Sequence, residues 1–354
     1  MPYEREAYIA RLAVQKASLS TRSISNQILA NKAQNTITKD DKSPVTIGDF
    51  SAQAIIINAI KANFPNDEVV GEEDSNDLKE NPELSKAILD NLQKNELEFN
   101  EHYKIPENVS LGDSFQAIEQ VSQVIDEGNS QGGDKGRFWA LDPIDGTKGF
   151  LRGDQYAVCL ALIEDGIVKV GVIGCPNLPN SFDKSEFQYK GGLFTGILGG
   201  GSWYSKLYDS KIIINELGDQ IQMKNNLKST SEIKVCEGVE KSHSSHDEQF
   251  KIKDYLGIPI DQTLNLDSQV KYCSLSKGLA ELYLRLPISS TYREKIWDHA
   301  AGNILITESG GIVTDIKGET LNFGKGRTLQ SSGVIAGSKQ YHSKVIEAIK
   351  SLGL

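Results

Sequence analysis

The chain has 354 residues, enough to bury a sizeable core and, on length alone, to form two domains or one large α/β unit. Its formal net charge of −10 argues against wholesale binding to nucleic acid or an anionic membrane, and no apolar run approaches the ~20 residues of a membrane span. An anionic substrate therefore has to be drawn in by metal ions or by a few placed Lys and Arg side chains.

Ile9, Leu12, Ala13, Val14, Ala17, Ile24, Ile28 and Leu29 keep helical spacing, which predicts one long or broken helix over residues 5–31. The opening MPYEREAYIARLAVQKA reads as the charged, amphipathic start of that helix rather than as a secretion signal. SPVTIGDFSAQAIIINAIKANFP reads as a loop and then a second helix from about Asp49 to near Pro65, which puts Asp49 at a helix N-terminus. A carboxylate there is favoured as a cap as well as for chemistry. Val69 and Val70 predict a short strand that delivers Gly71, Glu72 and Glu73. Residues 74–112 turn polar and read as a surface insertion with helical pieces, one of them over 84–92. Phe115, Ile118, Val121, Val124 and Ile125 mark a further helix, and NSQGGDKG a flexible link.

The stretch WALDPIDGTKGFLRG is the most informative in the chain. Phe138, Trp139, Ala140 and Leu141 read as the end of a buried strand, and Pro143 and Gly146 break it so that Asp142 and Asp145 converge at its carboxyl end. Two carboxylates on such a turn, with no basic partner between them, repel each other unless a cation sits there. TKGF permits a helix start, whose Gly146 and Thr147 amides would face a phosphate. Glu164, Asp165 and Gly166 then form the turn of a hairpin between residues 155–163 and 167–175, and the glycines over 191–201 suggest further turns. Cys159, Cys175, Cys236 and Cys273 lie far apart without zinc-site spacing and read as buried, reduced thiols of an intracellular compartment. A boundary between residues 228 and 229 precedes a strand at 233–235. Beyond it strand and helix signals alternate, as suits an α/β layer, up to a helix from Trp297 and a strand at 312–314.

Asp49, Glu72, Asp142, Asp145 and Asp298 each lie where an apolar element meets a loop. Taken singly, Asp49 and Asp298 read as helix caps and His299 as a packed histidine. Oxygen ligands without Cys or clustered His favour Mg²⁺ or Mn²⁺ over zinc, and such ions usually serve phosphate chemistry. The Thr147 hydroxyl could hydrogen-bond both Asp49 and a water, if the fold brings Asp49 near. Arg285, in the strand-like run YLRLP, needs a buried anionic partner or ligand.

GEED (71–74), DPIDGT (142–147) and WDHAAG (297–302), in that order and with Asp49 upstream, resemble the inositol monophosphatase superfamily of Mg²⁺-dependent, Li⁺-sensitive phosphatases. SPVTIGD (43–49), GVEKSHSSHDEQ (238–249) and LDSQVKYCSLSKGLAELYLRLP (266–287) extend the resemblance to its fungal 3'(2'),5'-bisphosphate nucleotidase branch. The resemblance implies a layered α/β/α/β/α sandwich, with an antiparallel N-terminal sheet in a metal-binding domain (1–228) and a smaller α/β domain (229–354) that adds nucleotide binding and Asp298. It implies that Glu72, Asp142, Asp145, Asp298 and the Ile144 carbonyl ligate two or three Mg²⁺ ions, for which Mn²⁺ can substitute. Asp49 and Thr147 would be the proton-accepting pair that activates water. Gly146, Thr147, His243, Ser268, Lys271 and Arg285 would hold the substrate. The implied reaction removes the 3'-phosphate of 3'-phosphoadenosine 5'-phosphate, or of its 5'-phosphosulfate form, in a cytoplasmic monomer with a role in sulfate assimilation and salt tolerance. An inositol or inositol polyphosphate 1-phosphatase, and a non-catalytic nucleotide sensor, are the alternatives.

Overall fold

Alanine and aliphatic residues at helical spacing place α1 (Glu4–Ala33) and α2 (Ser43–Asn63) side by side, with Ile9, Leu12, Val14, Phe50, Ile56 and Ile60 in one buried cluster. The computed structural model describes residues 1–33, 43–208, 216–240, 244–289 and 291–354. After the two helices come β1 (Glu68–Gly71), α3 (Asn76–Glu80), α4 (Pro82–His102), α5 (Ile118–Asp126), β2 (Arg137–Asp145) and α6 (Thr147–Arg152). The strands β3 (Ala157–Glu164), β4 (Ile167–Pro179), β5 (Lys190–Ile197), β6 (Gly201–Lys206) and β7 (Asp219–Ile221) follow. The remainder supplies β8 (Val235–Glu237), α7 (His246–Leu256), β9 (Thr263–Asn265), α8 (Val270–Ser276), β10 (Leu282–Arg285), α9 (Ala300–Glu308), β11 (Gly311–Thr314), β12 (Val334–Ser338) and α10 (His342–Leu352).

Strands β1 to β7 form one sheet in sequential order, antiparallel except that β1 runs parallel to β2. The second sheet has the order β11-β12-β10-β8-β9 and is mixed. Side-chain alternation assigns the layers. On β3, Val158, Leu160 and Leu162 join α1 and α2, whereas Cys159, Ala161 and Ile163 join Ala301, Ile304 and Leu305 of α9. On β10, Tyr283 belongs to the α8 and α9 side, and Leu282 and Leu284 pack with Ile252, Val345 and Ile349 of α7 and α10. The order is therefore α1 and α2, first sheet, α8 and α9, second sheet, α7 and α10, which is the expected five-layer sandwich. The middle helical layer belongs to both sheets, so one core spans them.

Glycine lets that middle layer sit directly on the first sheet. A Cβ on Gly196 of β5 would lie 3.0 Å from Leu305 Cα, so this glycine serves close approach rather than the turn expected over 191–201. Gly199 and Gly201 do serve the turn, at φ of +71° and +82°. No described helix is long and apolar enough to cross a membrane.

Several elements depart from the expectations above. The second helix starts at Ser43, so Asp49 lies inside it rather than at its N-terminus. Val45, Thr46, Ile47 and Gly48 are poor helix formers, but a Gly48 Cβ would come within 2.7 Å of Ile144 Cδ1, so packing against β2 overrides propensity here. Residues 74–112 are not a mere surface insertion, because α4 buries Ile88, Leu92 and Phe99 against α1 and α2. An amphipathic helix needs only one apolar stripe, which a polar composition conceals. The strand expected at 233–235 begins at Val235, and α8 forms within a segment not read as helix.

Candidate active site

The two aspartates of DPIDGT are three residues apart, and in a regular strand odd spacing would send them to opposite faces. Asp142 pairs with Cys159 and Asp145 with Ala157, so β2 spends three residues where β3 spends two. This irregularity, at a proline that has no N–H to give to the ladder, turns both carboxylates to one face. Gly146 then ends the strand at φ +93°, where its missing Cβ also leaves room for Ser268, whose Cβ would lie 3.0 Å away. The chain enters α6 directly afterwards.

Ends of several elements meet at this point. Glu72 follows β1, Asp142, Ile144 and Asp145 come from β2, and Asp298 precedes α9. Together with Gly146, Thr147, Ser268, Lys271 and Arg285 they line one cavity of about 520 Å³. Asp49 is buried behind this wall, beside Glu72 and Glu73, and does not line the cavity. Among the described residues no hydrogen bond joins Asp49 to Thr147. The Thr147 hydroxyl instead donates to the Ile144 carbonyl at 3.5 Å. His243 lies outside the described residues.

Electrostatically, the carboxylates are a crowd of like charges that Lys271, Arg285, Lys295 and Arg327 offset only in part, Lys271 and Arg285 acting on Asp145, Arg285 on Asp298, and Lys295 and Arg327 on Glu72. No ion pair joins Asp49, Glu72, Asp142, Asp145 or Asp298 to a cation among the described residues. Burial, reinforced by Glu72, Asp145, Asp298 and Asp49, pushes Asp142 well above the ordinary carboxylate range. Burial also raises Asp298, with Asp145 adding to it, and raises Asp49, with Glu73 and Glu72 adding to it. For Asp145 burial outweighs Lys271 and the Gln269 N–H, which donates to Oδ2 at 2.6 Å. Glu72 is raised by burial among protein atoms even though solvent reaches it from the cavity. Asp142 Oδ1 is buried with no hydrogen-bond partner. Raised carboxylates with an orphaned oxygen fit a hard, oxygen-seeking divalent cation.

Glu294, Asp298 and His299 also place ligand atoms within 4.8 Å of one another. Glu294 is already engaged, however, because Arg285 Nε donates to it at 2.7 Å and His299 Nε2 lies 3.3 Å away. Burial opposes its ionisation, but His299 and Arg285 together hold Glu294 down at about 2. His299 is packed against Tyr272, whose hydroxyl is 2.7 Å from Nδ1. Of the three, Asp298 is the one whose pKa Asp145 and Glu72 also raise.

The same cavity also carries cations. Lys271 Nζ donates to the carbonyls of Ser268 at 2.6 Å and Leu266 at 3.2 Å, and burial lowers its pKa to about 8. Ser268 holds a positive φ of +62°, an uncommon conformation for a non-glycine residue. Gln269 escapes sequence reasoning. Besides its contact with Asp145, its Nε2 donates to the Trp297 carbonyl at 2.7 Å and its Oε1 accepts from Gly302 N at 2.9 Å. It thereby ties two acidic positions together, and nothing in LDSQVKY announces this.

Residues 8–354 match the model of the inositol monophosphatase family. The chain belongs to this family. The Candida albicans 3'(2'),5'-bisphosphate nucleotidase 1 is 55% identical over 99% of this chain and 96% of its own length. The 3'(2'),5'-bisphosphate nucleotidase of Emericella nidulans is 48% identical over 99% of each. An inositol monophosphatase from Zymomonas mobilis shares the fold, with a TM-score of 0.60 over 99% of both chains at 17% identity.

Proposed function

We propose that this chain is a divalent-metal-dependent phosphatase that removes the 3'-phosphate of 3'-phosphoadenosine 5'-phosphate, giving AMP and phosphate, and that also accepts the 5'-phosphosulfate form. The observation that carries this reading is one cavity lined by both carboxylates and cations. Its carboxylates suit the cation that a phosphomonoester requires, while Lys271 and Arg285 suit a second anionic group, which a bisphosphate has and an inositol monophosphate lacks. The nucleotidase names of the relatives point the same way.

In this reading residues 1–228 supply the carboxylates apart from Asp298, and residues 229–354 the nucleotide-binding side chains. Glu72, Asp142, Asp145, Asp298 and the Ile144 carbonyl hold two or three Mg²⁺ ions, with Mn²⁺ able to replace them. When bound, the ions supply a water of lowered pKa and neutralise charge on the phosphate and the leaving oxygen. Thr147 exchanges its Ile144 acceptor for Asp49, and the pair takes the proton from the attacking water. The Gly146 and Thr147 amides face the scissile phosphate. His243, Ser268, Lys271 and Arg285 hold the rest of the nucleotide, with Glu294 fixing the guanidinium of Arg285. The net charge of −10 and the four buried free thiols suit a monomer of the reducing cytoplasm.

The test is phosphate release from 3'-phosphoadenosine 5'-phosphate, inositol 1-phosphate and inositol 1,4-bisphosphate, each with EDTA, Mg²⁺, and Mg²⁺ plus Li⁺. The expected result is Mg²⁺-dependent, Li⁺-inhibited turnover of the nucleotide above the inositol phosphates. Preference for an inositol phosphate would overturn the substrate, and binding of the nucleotide without any turnover would make the chain a sensor.

A further inference from the structure

Arg327 stands outside the cavity wall, in the loop before β12, and touches both sides of the carboxylate cluster. Its Nη2 donates to the carbonyl of Gly71 at 2.5 Å, the residue immediately before Glu72, across 256 positions of sequence. Its Nη1 donates to the Ser130 carbonyl at 3.0 Å, on the strand-like segment whose amide in turn reaches Val69 of β1. The guanidinium lies 4.8 Å from the ring centre of Trp297, the residue immediately before Asp298. The backbone around Arg327 completes the arrangement. Its carbonyl accepts from Ile296 N at 3.1 Å, Leu329 N donates to the Glu294 carbonyl at 2.8 Å, and Lys295 forms a β-bridge with Thr328. One residue thus holds the approach to Asp298 with its main chain and ring contact, and the approach to Glu72 with its side chain.

The other flank of the Glu72 turn is held as well. Gln53, fully buried on α2 one turn after Asp49, donates to the Glu73 carbonyl at 2.7 Å and accepts from Glu73 N at 3.1 Å. Glu72 is therefore clamped between two side chains that approach from different layers, and only the Arg327 clamp also reaches Asp298. A planar fork can bridge two carbonyls and lie on a ring at the same time, which an ammonium cannot.

We propose that Arg327 is a positioning residue that fixes Glu72 and Asp298 relative to each other, so that a divalent cation held by the carboxylate cluster depends on it. The proposal rests on the reading of Glu72 and Asp298 as ligands, and the test separates the two. Mn²⁺ binding to the metal-free protein is measured by electron paramagnetic resonance for the wild type, Glu72→Gln, Arg327→Ala and Arg327→Lys, alongside far-ultraviolet circular dichroism. The Mg²⁺ half-saturation and the nucleotide KM are measured for each variant. Groups that orient metal ligands typically contribute 10–100-fold to affinity, so Arg327→Ala is expected to weaken Mn²⁺ binding by ~10-fold or more. Arg327→Lys is expected to be weakened too although it keeps the charge, and in both variants the Mg²⁺ half-saturation shifts more than the KM. Should Arg327→Ala fail to fold, Arg327→Lys alone decides. Wild-type Mn²⁺ affinity in a folded Arg327→Lys would overturn the proposal, since charge or general stability would then explain Arg327. Equal Mn²⁺ affinity in the wild type and Glu72→Gln would instead overturn the ligand assignment beneath it.

Discussion

The carboxylates and the cations of the cavity are built on opposite electrostatic plans. Asp142, Asp145 and Asp298 sit on the ends of regular elements, and the protein offers them no ion pair among the described residues. Among the cations every charge already has a protein partner. Lys271 is satisfied by two carbonyls and Arg285 by Glu294, while at the rim Lys148 and Arg152 share Glu240 at 3.1 and 2.7 Å. The carboxylates thus store repulsion that a cation relieves, whereas the cations already have protein partners, although burial still lowers the pKa of Lys271 to about 8. A bound cation should therefore remove an electrostatic cost that the metal-free protein carries.

The sharpest way to break this comparison is Asp142→Asn. With all its neighbours raising the Asp142 pKa, the ionised carboxylate costs stability at neutral pH, so the metal-free variant should melt above the metal-free wild type. Its Mg²⁺-dependent kcat should nevertheless fall by on the order of 10²–10³-fold, the scale for removing one preorganised electrostatic contact. Phosphate release and thermal melts in EDTA read the two effects, and a lower metal-free Tm would refute the stored repulsion. A smaller effect tests the cations. Lys271, at about 8 in the free protein, loses its charge as pH rises through that value. The kcat/KM for the nucleotide should then drop by up to ~10-fold per pH unit, and a profile flat to about pH 9.5 would show that Lys271 does not hold the anion as a cation.

The smallest effect concerns pH and stability together. Groups whose folded pKa is raised contribute stability below their unfolded pKa and lose it as pH climbs through the folded value. The carboxylate cluster of the metal-free protein is therefore least stable at neutral and alkaline pH, where bound cations replace protons most effectively. The Tm increment given by Mg²⁺ should grow between about pH 5 and about pH 8 in scanning fluorimetry. An increment independent of pH would mean that cations and protons do not compete for these carboxylates.

Much of the site was legible because its chemistry is written in short motifs. GEED, DPIDGT and WDHAAG each place an acidic residue beside small or turn-forming residues, and their order carries the family even though the segments meet only in space. The position of Asp49 misled, because a weak local helix signal over 43–48 hid a helix that packing against Ile144 sustains. Gln269 and Arg327 were invisible for another reason. The Gln269 N–H meets the Asp145 carboxylate 124 residues away and the Arg327 side chain meets the Gly71 carbonyl 256 residues away, and nothing local in a loop announces so distant a partner.

By itself the sequence determined much of the secondary-structure alternation, the acidic residues of the cavity, and the absence of a cysteine or histidine metal motif, since these follow from local spacing and side-chain chemistry, while the five-layer order came only from the family resemblance. The tertiary structure alone decided that Asp142 and Asp145 share a face, because this depends on the uneven pairing of β2 with β3 rather than on their spacing. It alone also set the long-range clamps on Glu72, Asp145 and Asp298, since a hydrogen bond between distant segments exists only once the packed layers bring donor and acceptor within reach.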